Sequence, residues 1–92
     1  MVLLISYDLN NHERPSSYTA VRAVIERYAI SARKPLYSQW LVETQDAPQT
    51  WSDRIRAVAD EDDRWLVVRV QRPYQGWLPR EIWEWLRPRV QL

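Results

Sequence analysis

The 92-residue chain contains no cysteine, one glycine and one histidine. Without cysteine there is no disulfide framework, no thiolate metal site and no cysteine nucleophile, and the cytoplasm is the compartment we expect. The single glycine excludes a glycine-rich phosphate loop. His12 stands alone in a polar stretch, so we interpret it as a loop residue, and a serine triad has no other candidate base.

Long apolar runs are also missing. No run reaches the roughly 18 residues that a membrane-spanning helix needs. The apolar run at residues 2–5 stops at Ser6, with no basic residues before it and no small-residue cleavage site after it. We therefore expect neither a membrane span nor a signal peptide.

A large excess of one charge sign is absent, since 13 basic residues face 12 acidic ones for a net charge of +1. Nucleic-acid binding must therefore be argued from local charge. Lys34 is the only lysine, and arginine suits bidentate phosphate or carboxylate contacts, although a GC-rich genome produces the same bias. The acidic run at residues 60–63 lacks EF-hand spacing and is interpreted as a solvated turn.

The length of 92 residues allows one domain, in which we distinguish a core at 1–71 from a tryptophan-rich helical extension at 72–92. The predicted elements are a strand at 2–9, a helix at 16–29, a strand from 33 to a bend at Ser38-Gln39, a strand at 40–44, a helix from an Asp46 capping box to about 60, a strand at 64–70 and a helix at 78–87. This order is the split βαβ pattern of the α+β ferredoxin-like fold, an antiparallel sheet with two helices on one face.

The sheet face opposite those two helices is predicted to be apolar. Alternation along the strands assigns four residues to it: Val2, Leu4, Trp65 and Val67. Such a patch needs a cover, which is either the last helix or a second copy of the chain, and we expect a homodimer. Trp40, Trp51 and Trp65 fall at apolar positions and are interpreted as core residues.

Asp8 is the candidate for chemistry, because an otherwise apolar strand ends there in a carboxylate. Two such carboxylates related by a dimer axis would share a hard divalent cation such as Mg²⁺, which takes one or two carboxylates and several waters. Alternatively, Asp8 braces the turn at residues 10–11 through hydrogen bonds to the backbone. The residues alone leave both roles open.

Two short motifs resemble the small CRISPR-associated Cas-two family. Its members open with a strand that ends in Tyr-Asp, here Tyr7-Asp8. After the first helix they carry a serine followed closely by an aromatic residue on a strand, here Ser38 and Trp40. The resemblance extends to the virulence-associated protein D group and to SinR-like proteins, and it covers about residues 1–71.

The resemblance implies a ferredoxin-like homodimer that cuts RNA or DNA with Mg²⁺ or Mn²⁺ held at Asp8. Ser38 and Arg14 are candidate catalytic helpers, or else a bend residue and a solvated charge. Other members of the family are non-catalytic scaffolds on DNA, so a scaffold for nucleic acid or protein is the alternative. The candidate nucleic-acid contacts, which solvated charges would also explain, are Arg22, Arg27, Arg33 and Lys34. The tail from residue 72 departs from the family's short final strand.

Overall fold

A computed structural model describes residues 1–8 and 15–90. The elements are β1 (Val2–Asp8), α1 (Pro15–Tyr28), β2 (Ser31–Leu36), β3 (Gln39–Glu43), α2 (Pro48–Arg56), β4 (Arg64–Arg69), α3 (Arg80–Leu86) and a 3-10 helix at Arg87–Arg89. The strands form an antiparallel sheet in the order β2-β3-β1-β4. The chain is therefore α+β, as predicted, and its architecture is compatible with a ferredoxin-like fold. No helix in the described part of the chain is long and apolar enough to cross a membrane.

Along the chain the elements follow as a strand, a helix, two strands, a helix, a strand and a helix, and their bounds differ from the predicted ones by a few residues. A turn at Tyr37-Ser38 separates β2 from β3, one residue before the predicted bend. The second helix ends at Arg56, earlier than predicted. Leu9, the last residue of the predicted first strand, lies outside the described residues.

The capping box predicted at Asp46 is wrong. α2 begins at Pro48 with Ala47 as its N-cap residue, and no described side chain makes a capping hydrogen bond there. Proline suits the first helical position because its fixed φ matches the helix and its missing N–H needs no partner. Asp46 therefore lies one residue too early, and its carboxylate is instead 2.9 Å from Nη2 of Arg54.

α1 and α2 pack on the same face of the sheet. Leu3, Ile5 and Tyr7 of β1 point toward them. The helices contribute residues spaced four apart, so each presents one stripe to the sheet. The helix residues in this helix-side core are Val21, Val24, Ile25, Trp51 and Ile55. Burial of each large apolar side chain stabilises the fold by about 1.5–3 kcal/mol, which makes this layer the main core.

β4 turns Trp65 toward the helices, contrary to the prediction. Its register places Trp65 directly opposite Tyr7, and opposed residues share a face. Trp65 and Val67 therefore pack against the helix-side core. The Trp65 indole Nε1 donates a hydrogen bond to Ser52 Oγ of α2 at 3.0 Å. The assignment of Trp65 and Val67 to the face of Val2 is wrong, because both alternating sets of β4 are apolar and alternation cannot choose between them.

α3 covers part of the other sheet face and buries a second cluster there: Val2, Leu41, Ile82, Trp85, Leu86 and Val90. The Trp85 Nε1 donates to Ser31 Oγ at 2.9 Å. The Arg89 Nε lies 2.9 Å from a Glu43 carboxylate oxygen, which ties the 3-10 helix to β3. The last helix thus supplies part of the cover that we expected from a second copy.

The sheet face that α3 partly covers is exposed toward the Asp8 end of β1. Leu66 lies opposite Ser6 and Val68 lies opposite Leu4. Leu66 is 62% exposed and Val68 is 39% exposed. Side chains alternate along β1, so Asp8 lies on this face with Ser6. We name the surface formed by Ser6, Asp8, Leu66 and Val68 the open half-face.

β2 forms one edge of the sheet and has an irregular register. Its pairing with β3 shifts between Arg33 and Leu36. Pro35 lies within the shifted stretch and has no N–H to donate. The outer edge of the sheet is therefore interrupted on this side.

The acidic run at residues 60–63 forms a turn, as predicted, but it is not fully solvated. Asp63 is 4% exposed, and its carboxylate accepts the Asp60 backbone N–H at 2.8 Å. Asp62 at the tip of the turn is exposed. The run therefore includes one carboxylate that holds the turn before β4.

Candidate functional site

Asp8 is the last residue of β1 and is exposed on the open half-face. The preceding residue, Tyr7, points into the helix-side core and fixes the strand at this position. Arg64 of β4 lies directly opposite Asp8 in the register. The sheet therefore presents this carboxylate outward, where a cation or a second molecule can reach it. The turn at residues 10–11, which Asp8 would brace in the alternative role, lies outside the described residues.

Ser38 lies at the same end of the sheet as Asp8. Its carbonyl oxygen accepts the Tyr7 backbone N–H at 3.0 Å. The Gln39 Nε2 is 3.5 Å from Ser6 Oγ, on the open half-face. The structure thus places two of the three predicted catalytic residues, Asp8 and Ser38, at the same end of the sheet. The third, Arg14, and the lone His12 lie outside the described residues.

A group of tyrosines lies next to Asp8 on the helix side of the sheet. The ring centroids of Tyr7 and Tyr18 are 5.7 Å apart, and those of Tyr18 and Tyr37 are 6.2 Å apart. The Lys34 Nζ lies 4.8 Å from the centroid of the Tyr37 ring. These residues and Arg22 line a concavity of about 220 Å³, which we name the tyrosine pocket.

Tyr7 forms the floor of the tyrosine pocket and is 5% exposed. Burial raises the pKa of the Tyr7 hydroxyl, a hydrogen bond from Trp40 opposes this rise, and the neighbouring tyrosines add to it. The Trp40 Nε1 donates that hydrogen bond at 3.2 Å. The hydroxyl is therefore protonated at physiological pH, and the pocket offers hydroxyl and cationic groups to a ligand.

The four predicted nucleic-acid contacts do not share one surface. Arg22 and Lys34 both line the tyrosine pocket. Arg27 lines a different groove, between α1 and the end of α2. Arg33 lies on the other sheet face, with its guanidinium 5.7 Å from the Trp85 ring. Only two of the four line one pocket, and that pocket lies on the sheet face opposite the Asp8 side chain.

Asp8 stands without a cluster of further metal-ligating side chains in the described part of the chain. Within residues 1–8 and 15–90, no group of three or more carboxylate, histidine or cysteine side chains is placed to hold a metal ion. The carboxylate of Asp8 supplies the hard oxygen atoms that Mg²⁺ and Mn²⁺ prefer. A cation held there would need further ligands, which water and a second copy of the chain can provide.

Sequence reasoning missed a larger concavity in the C-terminal segment. The loop at residues 72–78 and α3 line a cleft of about 880 Å³. The Tyr74 and Trp83 rings stack there, with centroids 6.0 Å apart and an interplanar angle of 15°. The recurrence of tryptophan and arginine after residue 72 could have indicated it, but from the sequence the last helix was only one of two candidate covers for the sheet.

No protein-family model matches the chain, and no curated protein matches it. The resemblance to the Cas-two family therefore rests on the Tyr7-Asp8 motif and on Ser38 followed by Trp40. The packing of α3 on the sheet departs from the family pattern.

Proposed function

We propose that the chain has the ferredoxin-like split βαβ topology and acts as a Cas-two-like homodimeric endonuclease that hydrolyses phosphodiester bonds of RNA or DNA with a divalent metal. The strand order β2-β3-β1-β4, with α1 and α2 on one face, supports the topology. One observation carries the activity: Asp8 is exposed on the open half-face beside Leu66, which is 62% exposed.

Dimerisation through the open half-face would complete the site. Two copies that meet there bury Leu66 and Val68, and exposed apolar patches are typical of interfaces. A two-fold axis through this surface relates the two Asp8 carboxylates to each other. The cluster under α3 reaches along β1 as far as Leu4, about 13 Å from Asp8 along the strand, so α3 leaves the Asp8 end of this surface uncovered.

The donor chemistry of Asp8 fits a hard divalent cation, Mg²⁺ or Mn²⁺. When bound, such a cation supplies positive charge to the scissile phosphate and a water of lowered pKa. The chain's own residues bind and orient the substrate. Lys34 and Arg22 of the tyrosine pocket, on the sheet face opposite Asp8, offer cations to the phosphate backbone away from the cleaved bond, and the exposed face of Tyr37 can stack on a base.

The test is a cleavage assay with end-labelled RNA, single-stranded DNA and duplex DNA, each in Mg²⁺, in Mn²⁺ and in EDTA. We expect cation-dependent cleavage by the natural chain, loss of cleavage by Asp8→Asn and normal cleavage by Asp62→Asn. Asp62 is a matched control because it is an exposed aspartate of the 60–63 turn. Absence of cleavage on every substrate, or cleavage that persists in Asp8→Asn, contradicts the nuclease.

A second candidate is a non-catalytic dimeric scaffold that binds nucleic acid or a protein. It is favoured by the contact between Lys34 and Tyr37, since Tyr37 is 78% exposed. Binding without cleavage, measured by fluorescence anisotropy on the same substrates, would select the scaffold. Lys34→Ala should then weaken binding, whereas Arg56→Ala, at an exposed position at the end of α2, should not.

A further inference from the structure

The C-terminal segment concentrates arginine and tryptophan that the Asp8 site does not use. Residues 69–90 contain five arginines, two glutamates and three tryptophans, whereas the whole chain carries a net charge of only +1. Trp85 is buried against the sheet, but Trp77 is 99% exposed. Core packing therefore explains Trp85 and leaves Trp77 without a structural role.

Trp77 lies at the cleft between the loop at residues 72–78 and α3, which we name the C-terminal cleft. The stacked rings of Tyr74 and Trp83 form an aromatic surface in it. Gly76 lies close to this surface, since a Cβ atom there would be 3.9 Å from the Trp83 ring. The loop that carries Trp77 is thus packed on α3, and the cleft has aromatic faces at defined positions.

The charge of the C-terminal cleft is positive. Arg72 and Arg87 line it, and none of the described lining residues is acidic. The Arg87 guanidinium lies 5.7 Å from the centroid of the Trp83 ring, so a cation sits beside the aromatic surface. Glu84 of α3 is paired with Arg80 at 2.8 Å. The cleft therefore complements a ligand that combines flat rings with negative charge.

We infer that the C-terminal cleft binds a short segment of single-stranded nucleic acid. Aromatic side chains stack on bases without sequence preference, and arginines contact the phosphates. A duplex already stacks its bases internally and cannot present them to Trp77. Proline-rich peptides also dock on aromatic grooves, but they bring no anion to Arg87 beside the Trp83 ring, so charge complementarity favours nucleic acid. The inference does not rest on the Asp8 site.

The test is fluorescence anisotropy of fluorescein-labelled ten-nucleotide dT and U oligonucleotides in EDTA, so that no cleavage interferes. Trp77→Ala should weaken binding on the order of tenfold. Arg87→Ala should weaken binding and reduce its dependence on salt, because one phosphate contact is lost. Arg56→Ala is the control: Arg56 is an exposed arginine at the end of α2, outside the cleft, and the variant should bind like the natural chain.

Unchanged affinity in Trp77→Ala overturns the inference, as does equal affinity for a single strand and for a duplex of the same length. Trp77-dependent binding of a ten-residue polyproline peptide, without binding of either oligonucleotide, also overturns it and assigns the cleft to peptides. Asp8→Asn should bind the oligonucleotides normally. A failed cleavage assay therefore leaves this inference standing, and normal binding by Trp77→Ala leaves the nuclease proposal standing.

Discussion

Thr44 joins β3 to α2 through a single hydroxyl group. The residue is 1% exposed, and its Oγ1 accepts hydrogen bonds from Trp51 Nε1 at 3.1 Å and from the Asp46 backbone N–H at 3.0 Å. Trp51 is fully buried, so its indole N–H has no access to water. A buried donor without a partner costs more free energy than a single hydrogen bond contributes.

Thr44→Val keeps the side-chain shape and removes the acceptor. We expect the free energy of unfolding to fall by about 2 kcal/mol, measured by urea denaturation. Thr50→Val, at an exposed position of α2, is the control and should change it by less than about 0.5 kcal/mol. Equal effects of the two substitutions would show that the Thr44 hydroxyl does not satisfy Trp51.

Tyr7 couples stability to alkaline pH. Burial raises the pKa of its hydroxyl in the folded chain above the unfolded value of about 10. Its contribution to stability is therefore complete below pH about 10 and is lost as pH rises through the folded pKa, because the unfolded chain releases the proton first. This dependence belongs to the hydroxyl, so phenylalanine at the same position lacks it.

Tyr7→Phe also removes the acceptor for Trp40, so we expect it to unfold more easily at pH 7 by about 1 kcal/mol. Above pH 10 the difference in free energy of unfolding between Tyr7→Phe and the natural chain should become smaller. Urea denaturation at pH 7, 9, 10 and 11 measures both effects. A difference that stays constant over this range is incompatible with a raised pKa.

At the scale of elements, α3 differs from α1 and α2 because it packs on the opposite sheet face, where Trp85 is the largest of its three buried side chains. Trp85 is 5% exposed and hydrogen-bonded to Ser31, whereas Trp77 in the preceding loop is 99% exposed. Trp85→Ala should lower the free energy of unfolding by about 3–5 kcal/mol, and Trp77→Ala by less than about 0.5 kcal/mol. Chemical denaturation of the two variants measures the contrast. Similar losses would mean that α3 does not hold the second cluster.

The order of the elements could be predicted because each has a clear local period. Val21 and Ile25 repeat at helical spacing, and Trp51 and Ile55 repeat in the same way on α2. The position of Asp8 at the end of β1 followed from the same local pattern. Ser38 was a candidate only through the resemblance, and the structure places it at the end of the sheet that carries Asp8, where its carbonyl oxygen accepts the Tyr7 N–H.

The features that could not be predicted from the sequence are the sheet faces of individual side chains and the C-terminal cleft, because both depend on contacts between residues distant in sequence. Trp65 faces the helices because β4 pairs with β1 in one register and because Ser52 accepts its N–H, and neither is visible in the six residues of β4. Lys34 and Arg33 are neighbours in sequence but lie on opposite faces of an edge strand. The C-terminal cleft was missed because the sequence does not show that Trp85 is buried while Trp77, in the same segment, is exposed.

For the whole molecule, the open half-face predicts the state of association. The natural chain has a mass of 11.1 kDa and should sediment at micromolar concentration with twice that mass. Val68→Glu places a charge on the open half-face and should give monomers. Val58→Glu is a matched control, since Val58 and Val68 are both 39% exposed and Val58 lies just after α2. A monomeric natural chain contradicts the dimer and the paired Asp8 site together.

The interrupted edge at β2 limits how far sheets of this protein can join side by side. A strand added beside β2 finds Pro35, which has no N–H, and the register shift next to it, and such features block strand addition. β4, at the other edge of the described sheet, keeps a regular register with β1 from Arg64 to Arg69. Two copies joined along β4 would make a continuous sheet with β2 at both ends. Growth by strand pairing would stop at two sheets, so the geometry of one edge strand opposes an open fibril.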